Sequence, residues 1–309
     1  MVRVNTASAI EDLVTVRDFL RWTTSRLNET QVVLGHGFED SWDEAVALVL
    51  YALHLPWDAD NRVMDSRLTT KEREQIAYLV KQRIEKRTPV AYLTQIAWFA
   101  GLPFFVDERV LIPRSPIGEL IEKGFEPWIR GDSIDRALDL CTGGGCIAIA
   151  MALNLPHVQV DAVDISSEAL AVAMQNVENH GAEEVVTLIK SDCFEALIAT
   201  KPQYDLIVSN PPYVGSKEMS SLPEEYLQEP SMALAAGSDG LDIVRRILNQ
   251  AVDYLTKDGV LICEVGNSDQ ALEQAFPKVP FTWIEFEHGG HGVFILTAEE
   301  LKKHRAQFV

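Results

Sequence analysis

Apolar residues recur at helical spacing from Ala7 to Leu27, at Ile10, Leu13, Val14, Phe19 and Leu20, which predicts helix with one buried stripe. Ser41, with Glu44 three residues later, has the pattern of an N-cap opening a second helix. Thr69 or Thr70 caps a third, which runs through Ile76, Leu79, Val80 and Ile84 until Pro89 stops it. Residues 1–90 therefore read as a small helical domain whose mixed charges are solvated surface. From Ala91 to Pro113 aromatic and β-branched residues take over. Ile96-Ala97-Trp98-Phe99 and Phe104-Phe105-Val106, parted by Gly101-Leu102-Pro103, predict a hairpin. Ser115 as N-cap and Pro116 at the first helical position then open a helix through Ile117, Leu120 and Ile121. Residues 91–130 read as the link between two domains.

From about Ser133 short apolar runs alternate with helical stretches, the signature of a parallel sheet covered by helices on both faces. The predicted strands are Arg136–Leu140, Val158–Asp164, Val185–Lys190, Tyr204–Ser209, Val260–Val265, Phe281–Phe286 and Val293–Thr297. Only a Gly-rich link, Glu287-His288-Gly289-Gly290-His291-Gly292, joins the last two, so they pair antiparallel at the end of an otherwise parallel sheet. The fold class is α/β: a seven-stranded, mostly parallel, Rossmann-like sheet in a domain spanning 131–309.

Composition narrows the function classes. A chain of 309 residues with 47% hydrophobic and 24% charged residues has room for a large and a small domain, and its formal charge of -19 repels a phosphate backbone. A basic protein is the partner such a charge attracts, and duplex nucleic acid is not. The four cysteines, Cys141, Cys146, Cys193 and Cys263, form no CxxC pair and read as free buried thiols of a reducing compartment. His288 and His291 belong to a turn, and no metal set is read anywhere. The opening Met1-Val2-Arg3-Val4-Asn5-Thr6 lacks the pattern of a secretory leader, and the longest apolar stretch, Cys146 to Leu153, is far below a membrane span. The expectation is a cytoplasmic protein that does not engage a membrane.

Chemistry concentrates at the ends of predicted strands. The first runs into Asp139-Leu140-Cys141-Thr142-Gly143-Gly144-Gly145 and then a helix, and such glycines let the backbone approach a ligand at the carboxyl edge where open α/β sheets bind. Asp164 ends the second strand about 20 residues on, where an acid can accept both ribose hydroxyls of a nucleoside. Ser166 or Ser167 caps the helix that follows. The third strand ends at Ser191-Asp192-Cys193-Phe194. There Asp192 either accepts from an exocyclic adenine amine, with an apolar neighbour on the ring, or serves as an ordinary N-cap. After the fourth strand comes Asn210-Pro211-Pro212-Tyr213. An amide or aromatic-amine nitrogen gives its lone pair to a π-system, so acceptors that draw it out of conjugation help more than a base. The Asn210 side-chain oxygen and the Pro211 carbonyl, barred by Pro212 from local helical bonding, are such acceptors, and Tyr213 can cover the substrate plane. A rigid turn ending a strand is the alternative for the tetrapeptide.

Taken together these motifs resemble the class I S-adenosylmethionine-dependent methyltransferases over about Ser133 to Thr297, and the tetrapeptide resembles that of the members acting on planar nitrogens. The helical N-terminal unit, the hairpin and Phe104-Phe105-Val106-Asp107-Glu108-Arg109-Val110-Leu111-Ile112-Pro113-Arg114 are similar to the protein-glutamine branch. Ala97-Trp98-Phe99-Ala100-Gly101-Leu102 and Arg114-Ser115-Pro116-Ile117-Gly118-Glu119-Leu120-Ile121 resemble, within it, the enzymes that methylate a glutamine of large-subunit ribosomal protein L-three. The sequence departs from the pattern at Cys141, where the first glycine of the loop usually stands, and at Cys193, where an aromatic residue is common.

The resemblance implies S-adenosylmethionine bound by Asp139, Cys141, Thr142, Gly143, Gly144, Gly145, Asp164, Asp192, Cys193, Phe194 and Asn210. It implies a glutamine amide bound by Asn210, Pro211, Pro212 and Tyr213, with Asn210, Pro211 and Tyr213 catalytic. Transfer is direct and in line, no His or Glu is assigned to proton abstraction, and Glu108 and Glu264 are read as structural. The alternatives are a release-factor glutamine methyltransferase, an adenine-amine nucleic-acid methyltransferase, a nicotinamide-linked oxidoreductase and a non-catalytic interaction module.

Overall fold

In the computed structural model, which describes residues 4–155 and 157–308, the first helical stretch is broken in two. Helices α1 (Ala7–Asp12) and α2 (Val16–Glu29) part at Thr15, whose hydroxyl accepts from the Asp18 amide while the Asp18 carboxylate accepts from the Thr15 amide. That reciprocal cap starts a new helix inside one apolar period. Helix α3 (Ser41–Ala52) is capped by Asp40, which accepts from the amides of Trp42 and Asp43, so Ser41 is its first helical residue instead of its cap. Thr69 caps α4 (Thr70–Glu85) together with Glu72, and α5 (Val90–Thr94) follows Pro89. Phe19, Leu27, Leu48, Ile76, Val80 and Val90 share the core of this unit. Arg83, fully buried, pairs with Glu44 at 2.9 Å and with Glu225 at 3.5 Å. Met1, Val2 and Arg3, which open the segment read for a secretory leader, lie outside the described residues.

Two compact units result. The first holds the described residues up to Ala97 and takes in Pro223–Gln228; the second runs from Trp98 to Leu222 and from Glu229 onward. The divisions expected at 90 and 130 give way to one break before Trp98, because Val90 packs in the helical core whereas Phe99 and Phe104 are buried in a core of the sheet.

The hairpin of β1 (Ile96–Phe99) and β2 (Leu102–Phe105) begins at the end of the first unit and continues into the second, where α6 (Ile117–Glu122) follows. Its sheet comprises β3 (Arg136–Leu140), β4 (Gln159–Asp164), β5 (Val186–Lys190), β6 (Tyr204–Ser209), β7 (Leu255–Glu264), β8 (Thr282–Trp283) and β9 (Val293–Thr297) in the order β5-β4-β3-β6-β7-β9-β8. All pairings are parallel except those of β9 with β7 and β8. Strand β7 begins earlier than predicted, since Leu255 already pairs with Tyr204. The edge strand β8 is shorter than predicted, and the chain then leaves for the Gly-rich link, where Gly289, Gly290 and Gly292 all have positive φ.

Alternating side chains feed two cores, as a sheet buried on both faces requires. Ala137, Val160, Ala162, Leu206, Val208 and Ile262 face one core with α7 (Cys146–Asn154) and α8 (Ser167–His180). Leu138, Leu140, Ile207, Leu261 and Cys263 face the other, with α10 (Asp242–Gln250), α11 (Asp269–Ala275) and α12 (Ala298–His304); a short α9 (Ser216–Met219) lies between β6 and α10. Among the described residues no helix is long and apolar enough to cross a membrane.

Candidate active site

Strand order reverses between β3 and β6. From β3 the chain steps outward through β4 and β5, then returns to β6 on the other side of β3 and moves on to β7. Open α/β sheets place their ligands in the crevice at such a point, beyond the carboxyl ends. Register fixes what meets there. Ile189, Val163, Leu140, Ser209 and Cys263 pair in one row across five strands. The residues that follow in four of them are Asp164, Cys141, Asn210 and Glu264. Adjacent strands lie about 4.8 Å apart, so Asn210 leaves the sheet one strand from the glycine segment and two from Asp164. Asn210 is half-buried.

The glycine segment is braced from below by Asp139. Its Oδ2 accepts from Thr142 Oγ1 at 2.5 Å and from the Ala148 amide at 3.1 Å, while its Oδ1 is buried without a hydrogen-bond partner. Burial pushes this carboxyl up to about 7. Thr142 donates its amide to the Val163 carbonyl, tying the loop to β4. Gly143 and Gly145 have φ of +55° and +82°, and a Cβ on Gly143 would meet nothing within 4 Å, so the backbone there is open to an incoming group. Cys141 also sits at positive φ, +62°, a region a non-glycine residue occupies at a cost of about 1–2 kcal/mol.

Asp164 accepts from the Gly143 amide on one oxygen and the Ser166 amide on the other, each at 2.8 Å. It thereby links loop and strand, and each oxygen keeps a further lone pair for a hydroxyl. Burial holds its carboxyl above the ordinary range. Asp192 is not an N-cap with a free carboxylate: Arg246 of α10 pairs with it at 2.8 Å. Phe194 is fully buried in the second core, stacked on Tyr254 with ring centroids 4.6 Å apart. Cys193, at φ +48°, turns the chain so that the next side chain points inward. Burial pushes the Cys141 and Cys193 thiols up, the latter to about 11, which leaves both protonated and poor nucleophiles.

The tetrapeptide is held on several sides. Pro211 is buried, and Asn210 Oδ1 is buried without a hydrogen-bond partner. Ser268 Oγ donates to the Tyr213 carbonyl at 2.8 Å, and the Tyr213 hydroxyl donates to Glu264 Oε1 at 2.9 Å. A Cβ at Gly266 would come within 2.6 Å of the Tyr213 ring. Arg114 forks onto Glu229 at 2.6 and 2.8 Å, and Glu229 also accepts from the Ile112 amide. Arg114 and Leu111 border a small cavity with Asn210, Pro211 and Tyr213. A cavity of about 330 Å³ lined by Gly215, Lys217, Glu218, Asn267 and Ser268 contains none of the predicted site residues, so strand register, not cavity size, places the site.

These residues fit the nucleoside methyl donor that the motifs imply. An open glycine backbone, a strand-end carboxylate with spare lone pairs and an orphaned acceptor at Asn210 lie on one edge of the sheet. Ser209, Ser115, Arg114, Glu229, Gly240, Gly266 and Ser268 were not singled out for the site from the sequence. Glu264 alone carried a signal, as an acid one residue before the end of a predicted strand.

The family model "Methyltransferase small domain" matches residues 130–239. The chain is 50% identical over 302 residues to the ribosomal protein uL3 glutamine methyltransferase of Xanthomonas campestris pv. campestris, covering 98% of this chain and 97% of that one. It is 48% identical over 300 residues to the ribosomal protein uL3 glutamine methyltransferase of Francisella tularensis subsp. tularensis, covering 97% and 95%.

Proposed function

We infer that this chain, which belongs to the ribosomal protein uL3 glutamine methyltransferase family, moves a methyl group to the side-chain amide nitrogen of a glutamine in ribosomal protein uL3. S-adenosylmethionine is the methyl donor and supplies the group as an electrophilic sulfonium substituent. The observation that carries the reading is the buried Asn210 Oδ1 without a partner. Leaving such an acceptor unpaired costs about 1–3 kcal/mol, and a carboxamide N–H is the donor that relieves it.

Asp164 holds the ribose with the lone pairs its backbone donors leave free, and the open backbone from Cys141 to Gly145 passes beneath the donor. Asp192, steadied by Arg246, and Cys193 border the adenine. Asn210 and the Pro211 carbonyl accept from the two amide hydrogens of the glutamine, with Pro212 keeping that carbonyl free and the Tyr213 ring walling the amide plane. These hydrogen bonds strengthen as the nitrogen becomes cationic, which is the differential stabilisation that lowers the barrier. No thiol or general base enters, and the nitrogen sheds its proton to solvent after transfer.

The acceptor is a basic protein, and a charge of -19 speeds its encounter while disfavouring direct binding of duplex nucleic acid. The helical unit and the hairpin recognise it, and the reaction takes place in the cytoplasm with no membrane contact. Incubation with labelled S-adenosylmethionine and purified uL3, followed by peptide mapping, should place the label on a glutamine. Asn210→Ala should lower turnover about 100-fold with cofactor affinity retained. Label appearing instead on a release factor or on nucleic acid would overturn the assignment.

A further inference from the structure

Glu264, 4% exposed at the end of β7, is a buried carboxylate to which the reaction as derived gives no part. It takes two hydroxyl donors, Tyr213 Oη on Oε1 at 2.9 Å and Ser115 Oγ on Oε2 at 2.5 Å. Arg114, whose charge acts on Glu264, is itself forked onto Glu229. Packing of a sheet does not call for a charge here, and desolvating one costs several kcal/mol unless its hydrogen bonds offset it. The donors come from two sides of the site. Ser115 follows the Pro113-Arg114 stretch, and Tyr213 closes the tetrapeptide.

The rest of Tyr213 is already fixed. Ser268 holds its carbonyl, Gly240 leaves no room for a Cβ beside that carbonyl, and Gly266, at φ +46°, lies against its ring. What remains free is where the far end of the ring points, and the bond to Glu264 sets that. We propose that Glu264 is a positioning residue for methyl transfer, anchoring the Tyr213 ring through its hydroxyl, with Ser115 anchoring the second carboxylate oxygen. The inference rests on the glutamine-methylation reading above. It has a chemical consequence as well as a geometric one: burial pushes the Glu264 carboxyl up while its two hydroxyl partners oppose that shift, and in the ionised form the carboxylate only accepts, committing both hydroxyl protons to it. Any group meeting the Tyr213 oxygen then meets an acceptor, the polarity that an amide N–H requires. A wall set before the substrate enters costs less ordering on binding than one that must settle around it.

Glu264→Gln keeps the shape but turns one acceptor oxygen into a donor NH2, so one of the two hydroxyls must reorient. In the full chain, with S-adenosylmethionine and uL3, this variant should lose about 10- to 100-fold in kcat, the scale of a slight misplacement. KM for both substrates and the melting temperature should stay close to wild type. Tyr213→Phe should lose a similar factor, and the double variant should be no slower than the slower single one, because the two residues act as a unit. Independently of activity, the carbon-13 ring signal of Tyr213, identified by its loss in Tyr213→Phe, should shift and narrow in Glu264→Gln as the ring is freed. Wild-type kcat in Glu264→Gln, losses that multiply in the double variant, or an unchanged ring signal would each overturn the positioning role. Should Glu264→Gln not fold, Ser115→Ala carries the same test: a kcat loss that disappears in a Tyr213→Phe background supports the role, and an unchanged kcat overturns it. A wild-type enzyme that leaves uL3 unlabelled sinks the function reading and this inference with it, whereas an active wild type with a fully active Glu264→Gln sinks the positioning role alone.

Discussion

Ser209 Oγ donates a 2.7 Å hydrogen bond to the Leu140 carbonyl, stapling the last residue of β6 to the last residue of β3. The residue just beyond each strand is a proposed site residue, Asn210 after β6 and Cys141 after β3. The staple therefore fixes the proposed amide acceptors against the proposed cofactor loop at the point where the sheet's own ladder ends.

Removing it should affect both stability and rate. Ser209→Ala is expected to cost about 1–2 kcal/mol in urea unfolding, the scale of a buried hydrogen bond lost. At a temperature where the variant is fully folded, kcat should still fall while KM for the methyl donor changes little. Equal kcat would mean that the strand pairing alone aligns the two loops.

Asp139 predicts a pH dependence of stability. Burial raises its carboxyl from 3.8 to about 7 in the fold, so the folded state binds this proton more tightly than the unfolded chain. The contribution is fully present below about pH 4 and is lost as the pH rises through 7, amounting to roughly 4 kcal/mol at full ionisation. Asp139→Asn carries no such titration. Its stability relative to wild type should rise between pH 4 and 8, measured by denaturant unfolding of both proteins in matched buffers, and a flat difference would contradict the shift.

Cys141 stands at φ +62°, where glycine is at ease. Cys141→Gly should relieve about 1–2 kcal/mol of strain against roughly 0.5–1 kcal/mol of added chain entropy. A melting temperature equal to or slightly above wild type is expected, with calorimetric affinity for S-adenosylmethionine unchanged or improved. A large loss of affinity would show that the thiol itself contacts the cofactor.

Gly266→Ala differs in kind. Both strain at φ +46° and a 2.6 Å approach to the Tyr213 ring apply there, whereas Gly124, at φ +60°, has open space around its Cβ position. Gly124→Ala should cost stability alone, while Gly266→Ala should cost more and also lower kcat. The difference between the two isolates the displacement of Tyr213.

Phe194→Ala should leave cofactor affinity near wild type and lower stability by about 3–5 kcal/mol, as removal of a core aromatic does. A loss of affinity at preserved fold would place Phe194 against the adenine.

Much of the site was legible along the chain because a strand-end residue is defined by its own strand. Asp164 follows an apolar run, Asn210 follows another, and a parallel sheet brings such ends to one edge whatever the loops do. What each end contacts was not legible. Ser209 and Leu140 are 69 residues apart, and Ser115 and Glu264 are 149 apart, distances over which no local periodicity carries information. The packing of Phe194 in the second core was not legible for a related reason, since it follows Cys193, which has left-handed backbone. Capping failed similarly at Ser41, because Asp40 competes for the same amides.

By itself the sequence determined the α/β class, the strands that bear chemistry and the residue types at their ends, since local pattern and the demand to bury apolar faces settle these. The order of the strands, the register that sets Asn210 beside Cys141, and the pairing of Tyr213 with Glu264 were decided only in the folded sheet. Hydrogen bonds between distant strands choose partners by proximity, and proximity exists only once both cores have closed.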